Sequence, residues 1–227
     1  MSGPPRGLPR HRRGTAPQGR SRYPDFDVLE QAGHWDDETR AVVLDRVHNV
    51  PPVRFFDAPE EATMRAFCDV VTAQDAEPRV PVLEMVDAKL HAGRLDGFQH
   101  AGMPDDRDVW RLSARGLDEV AAARGAASFA AAGPATQIEI VAAFHEGDLH
   151  DGVWADLPAA KAFGVLMRAV LAAFYSHPWA WNEIGFGGPA YPRGYARLGA
   201  GLRESWEGEE QFDIDPVNDV AKRGVDR

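Results

Sequence analysis

The sequence predicts an all-α fold, an irregular helical domain of about six helices with long loops. Three observations carry this. Apolar residues recur at helical spacing in six segments. Those segments tend to open on acids or proline and close on glycine or proline. No segment alternates apolar and polar residues long enough for a strand.

The elements follow in order. "HWDDETRAVVLDRV" opens on acids and places Val43, Leu44 and Val47 on one side, with Asp36 or Asp37 positioned as the cap. "VPPVRFF" is a proline-broken connector. In "DAPEEATMRAFCDVVTAQD", Asp57 and Glu60 have capping-box spacing, and Met64, Phe67 and Val71 share a face. "VPVLEMVDAKLHAG" aligns Leu83, Val86 and Leu90 and stops at Gly93. "MPDDRDVWRLSARGLDEVAAARG" turns Val109, Leu112, Leu117 and Val120 inward and ends at Gly125. "PATQIEIVAAFHEG" comes closest to a strand, but its Ala-rich continuation favours helix. "LPAAKAFGVLMRAVLAAFYSHP" is apolar on most faces, which predicts a central buried helix ended by Pro178.

Residues 1–22 carry six Arg, no acid and almost no core formers, so they are expected to be a disordered basic tail. Residues 23–207 form the helical domain, and 208–227 read as a polar C-terminal tail. The tail leaves 19 of the 25 basic residues against all 35 acidic ones, and the whole chain is at −10. That balance argues against nucleic-acid binding, which usually needs a basic face. No run reaches the ~20 apolar residues expected of a membrane span. Arg12-Arg13 resembles a twin-arginine export signal, but no apolar stretch follows, so a cytoplasmic chain is expected.

The usual catalytic constellations are missing from the sequence. The single cysteine, Cys68, excludes an internal disulfide and reads as a buried helix residue. There is no nucleotide-binding glycine fingerprint after a strand, no Walker loop, no GxSxG and no HExxH. "GAGLR" at 199–203 lacks the preceding strand. His145, His150, Asp148 and Asp151 have metal-compatible chemistry, and the plainer reading is a solvated loop. His177 and Glu183 have the chemistry of an acid–base pair, yet nothing supplies a nucleophile.

The most unusual stretch is "FYSHPWAWNEIGFGGPAYPRGY". Residues 174–195 hold seven of the 21 aromatics, interleaved with Gly185, Gly187, Gly188, Pro178, Pro189 and Pro192. Glycine permits positive φ and proline stiffens the chain, so an irregular aromatic surface is expected. Trp, Tyr and Arg are the types enriched at binding hot spots. Trp179, Trp181, Phe186, Tyr191, Arg193 and Tyr195 are therefore the candidate partner-binding residues. The alternative is that some of these rings fold back onto the helix ending near Tyr175.

This stretch resembles the C-terminal segment of the gluconate 2-dehydrogenase subunit 3 family. "RFFDAPEEATMRAFCDVV", "RVPVLEMVDAKLHAGRLDGFQHAGMPDDRDVWRLSARGLDE" and "RYPDFDVLEQAGHWDDETRAVVL" resemble it too, so that the likeness covers about residues 22–207. It implies a non-catalytic small subunit, without a cofactor of its own, that binds and stabilises a large FAD-dependent dehydrogenase subunit of the glucose–methanol–choline type. A cytochrome subunit often completes such complexes. The absent apolar leader departs from many relatives, and periplasmic placement would then require export with a partner. The alternatives are a transient maturation or export chaperone of the flavoprotein, and a stand-alone enzyme using His177 and Glu183.

Overall fold

The computed structural model describes residues 27–74, 79–94 and 99–189. Among them are seven α-helices, two 3-10 segments and no strand. The helices are α1 (Asp37–His48), α2 (Ala58–Val71), α3 (Val82–His91), α4 (Asp106–Ala123), α5 (Pro134–Glu146), α6 (Ala159–Ser176) and α7 (Pro178–Ile184). The 3-10 segments are Val28–His34 and Gly152–Ala155. All six expected helices are present, and α7 is an addition.

Local chemistry explains most helix ends. The Asp36 carboxylate accepts the Thr39 N–H at 2.8 Å and caps α1. Asp57 and Glu60 form a full capping box at the start of α2. Asp105 accepts from the N–H groups of Arg107 and Asp108 at α4. α5 starts at Pro134 and stops at Gly147, which has left-handed backbone.

The described residues fall into two compact units. The larger spans 50–74 and 81–174. In it α2 packs on α3, α4 and α5, while α4 packs on α2, α5 and the Gly152–Ala155 segment. Its centre is aromatic: Phe144 lies 4.7 Å from Trp154 and 5.3 Å from Phe163, centroid to centroid, and Phe67 lies 6.0 Å from Phe144. α6 is less enclosed than its composition predicts. It buries Ala162, Val165, Leu166, Val170 and Phe174 but exposes Gly164, Arg168, Leu171 and Ala172. It is the one described helix with the length and apolarity of a membrane span; its buried stripe accounts for much of that apolarity.

The connector before α2 is held by one side chain. Asp87, fully buried on α3, accepts the backbone N–H groups of Arg54, Phe55 and Phe56 at 2.8, 2.8 and 3.1 Å. Arg111 closes the other side by donating to the Phe55 carbonyl at 2.8 Å. Asp118 does the same for the α4–α5 loop, accepting from the Thr63 hydroxyl at 2.7 Å and the Phe129 N–H at 2.8 Å.

The smaller unit has described parts at 27–49, 79–80 and 175–189. Among the described residues its core is Val28, Trp35, Val43 and Trp181, flanked by Leu29 and Ala32. Of the inward-facing residues expected on α1, only Val43 is fully buried; Leu44 and Val47 stay partly exposed. Asn182 joins its elements, accepting the Val28 N–H at 2.8 Å and donating to Asp27 at 3.2 Å.

Asp87→Ala should therefore destabilise the protein by about 3 kcal/mol or more, since two buried N–H groups and a partly buried one lose their acceptor. Asp87→Asn should recover only part of the loss, because one carboxylate oxygen becomes a donor. Urea denaturation of the three proteins checks this; equal midpoints would refute it.

Candidate functional site

The aromatic stretch begins at the junction of α6 and α7. Pro178 does not end the ordered structure, as its position suggests. A proline is tolerated in the first turn of a helix, where its missing N–H has no helical partner to lose. The chain breaks for one residue, His177, and restarts as α7. Residues 178–184 are thus helix, in place of the irregular loop the sequence suggests.

His177 is the cap. Its Nδ1 accepts the Trp179 N–H at 3.2 Å, and its Nε2 lies 3.0 Å from the Arg46 carbonyl. A carbonyl can only accept and an N–H can only donate, so the neutral ring with its proton on Nε2 satisfies both. Burial is the main cause that lowers its pKa from 6.5 to about 4; the Arg46 carbonyl opposes the shift and the Arg46 charge adds to it. A ring with both nitrogens engaged and its charged form disfavoured is a structural piece. This geometry favours the backbone-bonding reading of His177 over the acid–base one. Arg46 also donates to the Ser176 carbonyl at 2.6 Å, so α1 grips the same junction twice.

The candidate docking rings divide into inside and outside. Trp181 is 5% exposed and sits in the small core, with its indole N–H donating to the Tyr175 carbonyl at 2.6 Å. That corrects its expected place on an exposed docking surface: the ring folds back onto the end of α6. Trp179 is half-buried, 4.9 Å from the His177 ring, and its indole N–H has no acceptor. Phe186 stacks edge-on against Trp181 at 5.4 Å and remains 39% exposed. Tyr191, Arg193 and Tyr195 lie outside the described residues. Two exposed residues complete the outer surface: Tyr175 at 48% and Ile184 at 51%. Ile184 was missed because it is neither aromatic nor Arg, the residue types that mark a binding hot spot in a sequence.

The glycines have separate tasks. Gly185 adopts φ 68° and closes α7, its N–H bonding the Trp181 carbonyl. Gly188, at φ 80°, lies against Trp35: a Cβ there would fall 2.7 Å from the indole ring. Only glycine permits that approach.

The other candidates do not assemble. Among the described residues no three His, Cys, Asp or Glu side chains group as a metal set. His145 lies 3.1 Å from Glu146 and its ring packs on Phe163. Cys68 is buried, and desolvation pushes its thiol well above the usual range, which keeps it unreactive. The 199–203 glycines lie outside the described residues.

The fold and this site define a class: a helical chain whose most distinctive segment builds a capped, aromatic element. Residues 58–188 match the family gluconate 2-dehydrogenase subunit 3, and the chain belongs to that family. The matched range begins with α2 and ends at the glycine seated on Trp35. No curated protein and no solved structure matches the chain. The family is named for one subunit of a multi-subunit dehydrogenase, so its members work alongside partner subunits.

The pH dependence of stability follows from His177. Between about pH 6.5 and 4 the unfolded chain binds a proton that the folded ring refuses. The contribution is therefore complete above pH 6.5 and lost as pH falls towards 4. His177→Asn keeps a capping oxygen but cannot titrate. Between pH 7 and 5 the native protein should lose about 1–2 kcal/mol more than the variant. Parallel urea titrations at both pH values measure the difference, and identical losses would refute the assignment.

Proposed function

We propose that this chain is a non-catalytic small subunit that binds and stabilises a large FAD-dependent dehydrogenase subunit of the glucose–methanol–choline type, acting on a sugar, polyol or gluconate-like substrate. The family membership over residues 58–188 carries the reading. FAD and the substrate pocket belong, on this reading, to the large subunit, and a cytochrome is a candidate third member. The complex is cytoplasmic unless the partner carries it across the membrane.

The contact we assign lies on the outer side of the α7 segment. Tyr175, Ile184 and Phe186 are its exposed apolar residues, with Trp179 partly accessible beside them. Tyr191, Arg193 and Tyr195 remain candidates on the continuing chain. The His177 cap, the Trp181 anchor and the Gly188–Trp35 contact hold the surface in shape before binding. A preformed surface loses less conformational entropy on docking, so more of its burial appears as affinity.

Co-expression with a large flavoprotein from the adjacent reading frame tests this. A stoichiometric complex is expected, with flavin absorbance following the large chain. Phe186→Ala should weaken it by about 2 kcal/mol, roughly thirtyfold, with an unchanged melting temperature. Trp181→Ala should do something different: it opens the small core and costs about 3–5 kcal/mol of stability in the isolated chain. Unaltered assembly by the Phe186→Ala and Ile184→Ser variants would overturn the assigned surface. Dehydrogenase turnover by the isolated chain would overturn the non-catalytic reading.

A further inference from the structure

The larger unit carries a second feature that the aromatic segment does not use. Arg107, Arg111 and Arg115 stand at i, i+4 and i+8 on α4, and all three are exposed. That spacing places them along one helix face about 6 Å apart, spanning about 12 Å. In a chain with 35 acids against 25 bases, exposed arginines would be expected to find carboxylates. Exposed Arg124 does, on Glu139, as do the half-buried Arg40, on Asp37, and Arg65, on Glu61 and Glu84. Among the described residues Arg107 and Arg115 make no ion pair. Arg111 has one long ion pair, 3.8 Å to Glu60, beside its hydrogen bond to the Phe55 carbonyl.

The ridge is also held in place. The guanidinium carbons of Arg107 and Arg111 sit 5.1 and 4.5 Å from the centroid of the Phe55 ring. Phe55 is itself buried, and its backbone N–H is fixed by Asp87. Arg54, the neighbouring residue, is exposed as well. Two of three cations are thus oriented before anything binds, which lowers the entropic cost of using them. Asp105, Asp106 and Asp108 lie at the same end of the helix, and Asp105 is committed to capping it.

We propose that Arg107, Arg111 and Arg115 form a docking ridge for an extended, carboxylate-bearing segment of a protein partner. The argument is one of register and charge. In an extended strand, every second side chain points the same way, at intervals of about 6.6 Å. That interval matches the about 6 Å step between arginines one helical turn apart. A segment with acids at alternate positions therefore meets one guanidinium per acid, and guanidinium–carboxylate pairing is the strong, directional form of the contact. A single small anion fits worse, because the cations are strung along a line and do not converge. A nucleic-acid duplex is opposed by the net charge of −10. The ridge is independent of the proposed flavoprotein contact at α7.

The test uses the full chain and a fluorescent peptide of alternating Glu and Ser with four Glu. The comparison probes are a peptide with the same residues in two blocks, inorganic phosphate and a duplex DNA oligonucleotide. Binding of the alternating peptide is expected, weakening with salt, and tighter than that of the block peptide. Arg107→Gln/Arg115→Gln should weaken it about tenfold or more. Arg115→Gln alone should weaken it with an unchanged melting temperature, since Arg115 is exposed and makes no ion pair among the described residues. Phe186→Ala should bind the peptide normally, which separates this result from the fate of the flavoprotein complex. The proposal is overturned if the alternating peptide does not bind, if the arginine variants bind it as the native chain does, or if the block peptide binds equally well. Tighter binding of phosphate or DNA than of peptide, or loss of peptide binding in Phe186→Ala, would overturn it too.

Discussion

Irregular backbone can be buried only where its N–H and carbonyl groups find partners. This constraint organises both units. In the larger, Asp87 accepts three consecutive N–H groups from the connector preceding α2. Without that carboxylate, Phe55 and Phe56 could not be buried against α3 and α4 at tolerable cost. Phe56 packs 5.9 Å from Trp110, and Phe55 supports two arginines. One buried acid therefore positions part of a core and the ridge outside it. In the smaller unit, His177, Asn182, Arg40 and Arg46 share the same role across short elements. Arg40 bonds the carbonyls of Ala32 and Trp35 at 2.9 and 2.7 Å, joining α1 to the 3-10 segment before it.

The helices were legible because their signals are local. Caps, proline starts and glycine stops lie within four residues of the bonds they control, as at Asp57 with Glu60 and at Gly147. The three-dimensional role of the aromatic stretch was not. Trp181 has the composition of a docking residue and the environment of a core residue. Its core neighbours Val28, Trp35 and Val43 come from the far end of the chain. Nothing in the spacing of "HPWAW" announces that pairing. The same holds for Asp87, which reads as one more polar residue on an amphipathic helix. Pro178 misled for a different reason: a proline that stops one helix is equally suited to start the next, and the adjacent His177 decides. The arginine spacing on α4 is visible in the sequence, but that Arg107 and Arg115 pair with no described carboxylate, and Arg111 only at 3.8 Å with Glu60, required the structure.

On the proposed function the aromatic segment combines internal and external work, and the second rests on the first. Among the described residues four buried side chains make the core of the small unit, and the aromatic segment is tied to them at particular points. Gly188 lets the backbone lie on Trp35, Trp181 reaches inward, and the His177 cap fixes the entry angle of α7. Phe186, resting on Trp181, inherits its position from that core. On that reading a substitution can reduce assembly by two routes. Loss of Trp181 removes the support, whereas loss of Phe186 removes the contact and, inside the chain, only its edge-on packing on Trp181.

This separation bears on how acid would act. Protonating His177 places a second positive charge beside Arg46 and converts Nδ1 from acceptor to donor, facing the Trp179 N–H. The cap of α7 is lost in one event, while the larger unit's clamps at Asp87 and Asp118 contain no histidine. Acid should thus loosen α7 locally before it threatens the aromatic core around Phe144. Because α7 carries Ile184 and leads directly to Phe186, partner binding through that surface should weaken at a higher pH than global unfolding. Binding through the arginine ridge should persist until the partner's carboxylates are themselves protonated.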